Sequence, residues 1–304
     1  EWRLAPEQTL LLGYRLDHHP VHGAVHSPRL AYRLSLPHQQ TLRASLGTGF
    51  RVVNLFTEDH AALTGSRQVV IAEELRPERS TGATVTYTRK WVSEKHFLLV
   101  DLTAWYTHFS DQIIGDFDTD PDMIIYANLN GHAVSQGISA NVEAVIGGPW
   151  KAMAGVSYMD VYRVDRQEDG GSLRRRQLYA PAWSGTFTMG RALGRWQLDL
   201  TGQWYGPMRL PVQVRDPRPD HSPLYAMVNM QVTHAFGNGL ELFGGVKNLL
   251  DFAPRDVILR SHDPFDKLVD DPQDNPLGHT FDASYMYAPL QGIRGFFGLR
   301  WALQ

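Results

Sequence analysis

Hydrophobic and polar residues alternate along most of this chain. In the segment WQLDLTGQW at 196–204, Trp, Leu, Leu, Gly and Trp share one face, and Gln, Asp, Thr and Gln share the other. The final segment, GIRGFFGLRWALQ, places Ile293 and Phe297 opposite Arg294 and Arg300. A strict period of two predicts β-strands with one apolar and one polar face. Helical periodicity is essentially absent, so the chain is predicted to be all-β.

The pattern predicts about twelve strands. Several exceed the usual five or six residues, and ten or more tilted residues suffice to cross a bilayer. The predicted spans are 7–17, 28–36, 40–51, 80–92, 95–114, 123–147, 150–165, 179–191, 194–206, 224–236, 239–248 and 291–303.

Two architectures bury one face of such strands. A soluble β-sandwich turns the apolar face inward, whereas a membrane barrel turns it toward lipid. Short turns such as LPHQQ, VSEK and FGNG alternate with long connections along this chain. The predicted long connections are 18–27, 52–79, 115–122, 166–178, 207–223 and 249–290. In an antiparallel up-and-down transmembrane β-barrel, every second connection lies at the same end, so this alternation favours the barrel.

Aromatic residues stand near the ends of the predicted strands. Trp91, Trp150 and Trp196 lie close to short turns, and Trp204 and Tyr205 lie at the far end of their strand. This placement fits the two interfacial aromatic girdles of a membrane barrel, although large aromatic residues also fill ordinary cores.

Composition narrows the function classes. The formal net charge of −3 over 304 residues gives no reason to expect a nucleic-acid partner. The absence of cysteine excludes a disulfide framework and a thiolate metal site. The first residues, EWRLAPEQTLLLGYRLD, lack the features of a signal peptide, and no apolar run is long enough for a membrane helix. The sequence contains none of the G-x-S-x-G, Walker or H-E-x-x-H motifs that would indicate an enzyme. No cofactor is expected.

Several segments, taken in order, resemble a known family. SPRLAYRLSL followed by TLRASLGTGFR is similar to a mid-barrel strand pair of TonB-dependent outer-membrane receptors. EELRPERSTGATVTYTRKW resembles their L-x-PE segment, and ELFGGVKNLLDF resembles the NLxD signature of their penultimate strand. YANLNGHAVSQGISANVE resembles their N…G-x-E strand but departs from it at Ile138 and Ser139. YAPLQGIRGFFGLRW resembles the final strand, although ALQ follows Trp301 in place of a terminal aromatic residue.

The resemblance implies a barrel of about 22 strands around a plug domain. The chain is then a single β-barrel fragment spanning residues 1–304 and covering the last twelve or so strands. It implies the outer membrane of a Gram-negative bacterium, contact with lipid and lipopolysaccharide, and energy from the TonB complex through an N-terminal region. Polar residues facing the lumen and the plug are expected to be Arg15, Arg43, Asp199, Gln203, Arg294 and Arg300.

Four histidines cluster in LDHHPVHGAVHSPR, a predicted extracellular loop. They are His18, His19, His22 and His26. Their spacing fits no standard zinc pattern. Three interpretations remain: a polar loop with Pro20 and Gly23 as turn residues, a site for a transition metal, or a surface that transiently contacts an incoming metal chelate.

Two charged loops are further candidates. Three adjacent arginines, Arg174, Arg175 and Arg176, fit either an anionic ligand, lipopolysaccharide phosphates or an ordinary charged loop tip. An acidic loop offers hard oxygen ligands of the kind that calcium prefers, but its spacing is not that of an EF-hand. Its carboxylates are Asp263, Asp266, Asp270, Asp271 and Asp274.

The favoured function is therefore active transport of a scarce, bulky nutrient, such as a ferric siderophore or a corrinoid. The alternatives are a complete twelve-stranded porin or outer-membrane hydrolase, and a soluble β-sandwich binding module.

Overall fold

The computed structural model describes residues 1–53, 68–117, 119, 123–167, 169–212, 218–236, 239–255, 257 and 285–302. These residues form seventeen β-strands, and none of them belongs to a helix that is long and apolar enough to span a membrane. The strands are β1 (Trp2–Ala5), β2 (Gln8–His19), β3 (Gly23–Leu36), β4 (Gln40–Arg51), β5 (Gln68–Ile71), β6 (Glu78–Val92), β7 (Phe97–Asp111), β8 (Ile113–Asp116), β9 (Met123–Asn128), β10 (Gly131–Ile146), β11 (Trp150–Arg166), β12 (Ser172–Arg176), β13 (Trp183–Leu193), β14 (Trp196–Tyr205), β15 (Tyr225–Ala235), β16 (Leu240–Lys247) and β17 (Arg294–Trp301).

One large sheet contains ten of the twelve predicted strands in a single piece and the longer part of the other two. Its order is β1-β2-β3-β4-β6-β7-β10-β11-β13-β14-β15-β16-β17, with β12 added beside β11, and every pair is antiparallel. The long strands follow one another in chain order, as in an up-and-down barrel, and β4 has the predicted bounds. Within the described residues, β1 and β17 each pair on one side only.

The connections define two rims. The strand ends that flank 37–39, 93–96, 147–149, 194–195 and 236–239 lie at one rim, called the short-turn rim. The strand ends that flank 52–77, 112–130, 167–182, 206–224 and 248–293 lie at the other, called the long-loop rim, together with the turn between β2 and β3.

The predicted loop at 18–27 is wrong. β2 and β3 remain paired up to His19 and Gly23, so only residues 20–22 form the turn. Pro20 ends one strand, and Gly23 takes a φ of 72° at the start of the next. The side chain of His19 closes the turn, because its Nδ1 accepts hydrogen bonds from the backbone N–H groups of Val21 and His22 at 3.2 and 3.3 Å.

Two predicted strands are divided in the structure. The span 95–114 becomes β7 and β8, and the span 123–147 becomes β9 and β10. The second break falls before Gly131, where φ is 155° and a Cβ would collide with the backbone carbonyl of Val164. The separated pieces leave the large sheet and join a small one of order β5-β9-β8, in which β5 and β9 are parallel.

The apolar face of the large sheet is exposed. Among the described residues, twelve hydrophobic side chains are buried, whereas forty large ones are exposed. Four exposed tryptophans, Trp91, Trp150, Trp196 and Trp301, lie at the short-turn rim. Exposed hydrophobic side chains along the outward face of a sheet are typical of contact with lipid.

Close packing within the sheet depends on glycines that lie opposite aromatic residues. At five cross-strand positions an aromatic ring fills the space that a Cβ would occupy, an arrangement that shields the bare glycine backbone. The pairs are Gly137–Trp105, Gly185–Trp204, Gly202–Phe187, Gly245–Phe296 and Gly298–Phe243.

A buried asparagine joins three parts of the long-loop rim. Asn248 has a φ of 54°, a left-handed conformation that asparagine tolerates better than most residues. Its side-chain amide donates to the carbonyls of Phe252 at 2.7 Å and Gln291 at 3.2 Å, and its oxygen accepts from Phe252 N–H at 3.1 Å. Asp251 accepts a hydrogen bond from Ile293 N–H at 2.7 Å. The NLLD segment therefore fixes the entry of β17.

Replacing Gly185 with alanine is expected to lower the free energy of unfolding by about 1–3 kcal/mol, because the new methyl group must displace the Trp204 ring. Urea unfolding of the full-length protein in lipid vesicles measures the change. Gly295→Ala is the matched control, since no atom lies within 4 Å of its Cβ position. Equal effects of the two substitutions would contradict the packing role.

Replacing Asn248 with alanine is expected to cost about 2–4 kcal/mol, since each buried backbone group left without a partner costs ~1–3 kcal/mol. The same unfolding measurement applies. Leu250→Ala serves as the control because that side chain is exposed. A loss no larger than that of the control would show that the NLLD segment does not hold β17.

Candidate functional site

A cavity of about 330 Å³ opens at the long-loop rim. Four arginines and one glutamate line it, together with the aromatic side chains of Phe117, Tyr126 and Tyr179. The charged residues come from four strands and one loop: Arg51, Glu78, Arg163, Arg176 and Arg209. A wall with this excess of guanidinium groups suits a negatively charged ligand.

Arg51 and Glu78 form a paired unit at the adjoining ends of β4 and β6. They are register partners, and the Arg51 Nη2 lies 2.9 Å from Glu78 Oε2. The Glu78 side chain is mostly buried, and its other oxygen accepts a hydrogen bond from Ile113 N–H at 3.1 Å. Glu78 thus orients Arg51 and anchors the start of β8.

The three adjacent arginines of β12 take separate positions. Arg174 lies 2.6 Å from Asp160 and stacks on the ring of Tyr162 at 3.8 Å. Arg175 lies 3.6 Å from Asp165, which also pairs with Arg163 at 3.2 Å. Only Arg176 of the three lines the cavity, so they do not act as one patch.

Main-chain hydrogen bonds join the loop after β12 to the loop after β14. Tyr179, with a φ of 57°, donates its N–H to the carbonyl of Arg209 at 2.9 Å. Gln177 N–H donates to the carbonyl of Val161 at 3.0 Å, which ties the first loop to β11. These bonds hold Arg176 and Arg209 beside the same cavity.

An exposed pair of polar side chains lies beside Arg209 in the loop after β14. His221 Nδ1 lies 3.0 Å from Asp220 Oδ1. The hydrogen bond from His221 and its charge lower the pKa of the Asp220 carboxyl below its usual value, and the charge of Arg209 acts in the same direction. Asp220 is therefore a carboxylate at neutral pH.

The four histidines lie in the β2–β3 hairpin rather than in the arginine-lined cavity. His19 and His22 stack with ring centroids 4.7 Å apart, and His26 hydrogen-bonds to the Tyr14 hydroxyl. Across the parts of the chain that the structure describes, no three His, Asp or Glu residues are grouped to hold a metal ion. The hairpin uses His19 for structure, and a transient contact with a metal chelate stays a prediction.

The six residues predicted to face the lumen lie on the face opposite the exposed apolar one. Two of them already have partners in the barrel wall: Arg15 pairs with Asp17 at 2.6 Å, and Arg300 pairs across strands with Glu241 at 2.8 Å. Contact with a plug stays a prediction for all six. The proposed calcium ligands lie outside the described residues; they are Asp263, Asp266, Asp270, Asp271 and Asp274.

Sequence reasoning missed most of the cavity. Arg163 and Arg209 are single arginines without a local motif, and only the fold brings them together. Arg51 and Glu78 did carry a signal, since they end the GFR segment and follow the proline of the L-x-PE segment. Those two segments are directly paired in the structure.

A protein-family model described as TonB dependent receptor-like, beta-barrel matches residues 1–249. The chain belongs to this family. A curated relative, the iron-regulated outer membrane virulence protein of Vibrio cholerae, is 31% identical over 115 residues, which are 37% of this chain and 17% of that protein.

Solved receptor structures share the fold. The siderophore receptor PirA from Pseudomonas aeruginosa matches 82% of this chain with a TM-score of 0.57 and 19% identity. A variant of the ferric enterobactin receptor PfeA from the same organism, in complex with enterobactin, matches 82% with a TM-score of 0.59 and 20% identity. The ferric-catecholate import receptor Fiu from E. coli matches 91% with a TM-score of 0.60 and 13% identity. The chain spans 41%, 38% and 35% of these proteins, respectively.

Family membership accounts for the two faces of the sheet. The chain belongs to a family of outer-membrane β-barrels, in which the outward face of the sheet is apolar and the inward face is polar. The family consists of transport receptors rather than enzymes, and neither the porin nor the hydrolase alternative is favoured.

Replacing Glu78 with alanine is expected to loosen the segment 112–130, because Ile113 N–H loses its acceptor and Arg51 loses its carboxylate. Loss of about 1–3 kcal/mol of local stability should raise proteolysis of this segment at least five-fold on intact cells. Mass spectrometry of the released peptides measures the rate. Glu78→Gln retains an acceptor for Ile113 and should give an intermediate rate; wild-type rates in both variants would contradict the anchoring role.

Proposed function

We propose that this chain forms the barrel wall and part of the ligand-binding surface of a receptor that imports a negatively charged ferric siderophore. The observation that carries this proposal is the cavity at the long-loop rim, lined by Arg51, Arg163, Arg176 and Arg209. In outer-membrane barrels the long loops are extracellular, so the cavity faces incoming ligands.

The chemistry of the cavity distinguishes between the two nutrient types. A ferric catecholate presents several anionic oxygens and flat aromatic rings. Guanidinium groups bind such oxygens with charge-assisted hydrogen bonds and also stack on aromatic rings. Tyr126 and Tyr179 add aromatic surface to the same wall. A corrinoid offers no comparable density of negative charge, so the ferric chelate is the better match.

The names of similar proteins support an iron chelate. The curated relative is iron-regulated, and the similar structures include siderophore and ferric enterobactin receptors.

We further propose that import draws on energy from TonB, and that a plug domain contacts the polar face of the barrel. On that face Arg43 lies in register between Arg33 and Thr86, which provides polar groups for such contact.

Replacing Arg176 and Arg209 with glutamine is expected to weaken binding of a ferric catecholate by the full-length receptor about ten-fold per residue. A hydrogen bond to a charged group contributes ~1.5 kcal/mol, which corresponds to this factor. Quenching of tryptophan fluorescence during titration with the ferric chelate measures the Kd.

Arg195→Gln is the matched control, since Arg195 lies exposed in a turn at the opposite rim. Unchanged affinity in the double variant would overturn the assignment of the cavity, and tight binding of a corrinoid in its place would overturn the ligand class.

Import of radioactive iron should cease in cells that lack TonB while binding persists. Import without TonB would contradict the proposed energy source.

A further inference from the structure

The lipid-facing side of the short-turn rim carries basic groups stacked on tryptophans. The guanidinium carbon of Arg89 lies 4.5 Å from the ring centroid of Trp91 on the same strand. The guanidinium carbon of Arg191 lies 4.6 Å from the ring centroid of Trp150, its register partner on β11. We call these two arrangements the rim pairs.

The register places the rim pairs on the apolar face. Arg191 is aligned with Leu198 on β14, and Arg89 is aligned with Val100 on β7. Leu198 and Val100 are apolar, and along their strands they alternate with polar residues that point to the lumen, such as Asp199. An imidazole extends the pattern along the rim, because the ring of His234 lies 4.3 Å from that of Trp196.

Among the described residues, neither guanidinium group has a carboxylate partner or an acceptor for its Nε–H. The Nε atoms of Arg89 and Arg191 are buried, and neither has a hydrogen-bond acceptor among the described residues. No carboxylate of the same residues forms an ion pair with either guanidinium. A cation at the edge of the hydrocarbon layer is costly without an anionic partner. The stacked tryptophan compensates only partly for lost hydration.

An apolar groove begins close to one rim pair. A cavity of about 370 Å³ on the same face is lined by Val85, Tyr87, Leu102 and Ala104 among others, and Tyr87 is two residues before Arg89 on β6. Its small and aliphatic residues suit hydrocarbon chains. One lipid molecule can therefore place its anionic head group at Arg89 and its acyl chains along this groove.

We propose that the rim pairs bind the phosphate groups of glycerophospholipids in the periplasmic leaflet of the outer membrane. Short turns of outer-membrane barrels lie on the periplasmic side, where the lipids are phospholipids rather than lipopolysaccharide. Each arginine donates hydrogen bonds to phosphate oxygens while the tryptophan lies at the head-group level. The bound lipids complete the seal between barrel and bilayer at this rim.

Native mass spectrometry of the full-length receptor, purified from outer membranes in mild detergent, tests the proposal directly. The wild-type receptor should retain phosphatidylethanolamine or phosphatidylglycerol after partial delipidation. Arg89→Gln combined with Arg191→Gln should reduce the retained phospholipid about five-fold for each arginine, the effect expected of one basic residue at a membrane surface. Lys90→Gln removes the same charge from the adjacent, lumen-facing position of β6 and should leave retention unchanged.

Three outcomes of these measurements would overturn the proposed phospholipid binding. Equal phospholipid retention in the wild-type receptor and the double variant would overturn the proposal, as would retention of lipopolysaccharide alone. An equal loss in Lys90→Gln would show a general charge effect and overturn it as well. Heat-modifiable migration on gels verifies folding. If the double variant fails to fold, the two single variants are compared by the same measurement, and a five-fold loss in each supports the proposal.

Discussion

The antiparallel hydrogen-bond ladder is the constraint on which this structure depends. Backbone N–H and C=O groups inside a bilayer find no water, so each must pair with another strand. From β2 to β17, every long strand pairs with its neighbours in chain order. Because the ladder satisfies the backbone, side chains are free to separate into an apolar and a polar face. The exposed tryptophans on one face and the charged side chains on the other follow from that separation.

The long strands could be predicted from sequence because this constraint leaves a strong period of two. Segments such as β4 and β14 alternate without interruption, and their bounds were predicted within one or two residues. The short strands β5, β8 and β9 carry no such signal, since they pair with each other rather than with the membrane sheet. The tight turn after His19 was missed because a proline and four histidines suggest a loop, whereas the pairing of β2 and β3 continues through them.

The cavity could be predicted only in fragments. Motif resemblance identified the segments that contain Arg51 and Glu78, but not that the two residues form an ion pair. The three arginines of β12 are adjacent in sequence, but alternation along the strand separates Arg175 from the other two, and Asp160 and Tyr162 hold Arg174 away from the cavity. Arg209 comes from a connection more than 30 residues away from Arg176 in sequence. Proximity of this kind is set by the barrel and has no local pattern.

The small sheet has a consequence for how such receptors diversify. β5 belongs to the connection between β4 and β6, and β9 belongs to the connection between β7 and β10, yet β5 pairs with β9 along its whole length from Gln68 to Ile71. Asn128 strengthens the junction by donating to the carbonyl of Glu74 at 2.8 Å. An insertion within β5 or β9 therefore disturbs the register between them. Surface loops usually vary one at a time, but a change in one of these paired strands calls for a matching change in the other.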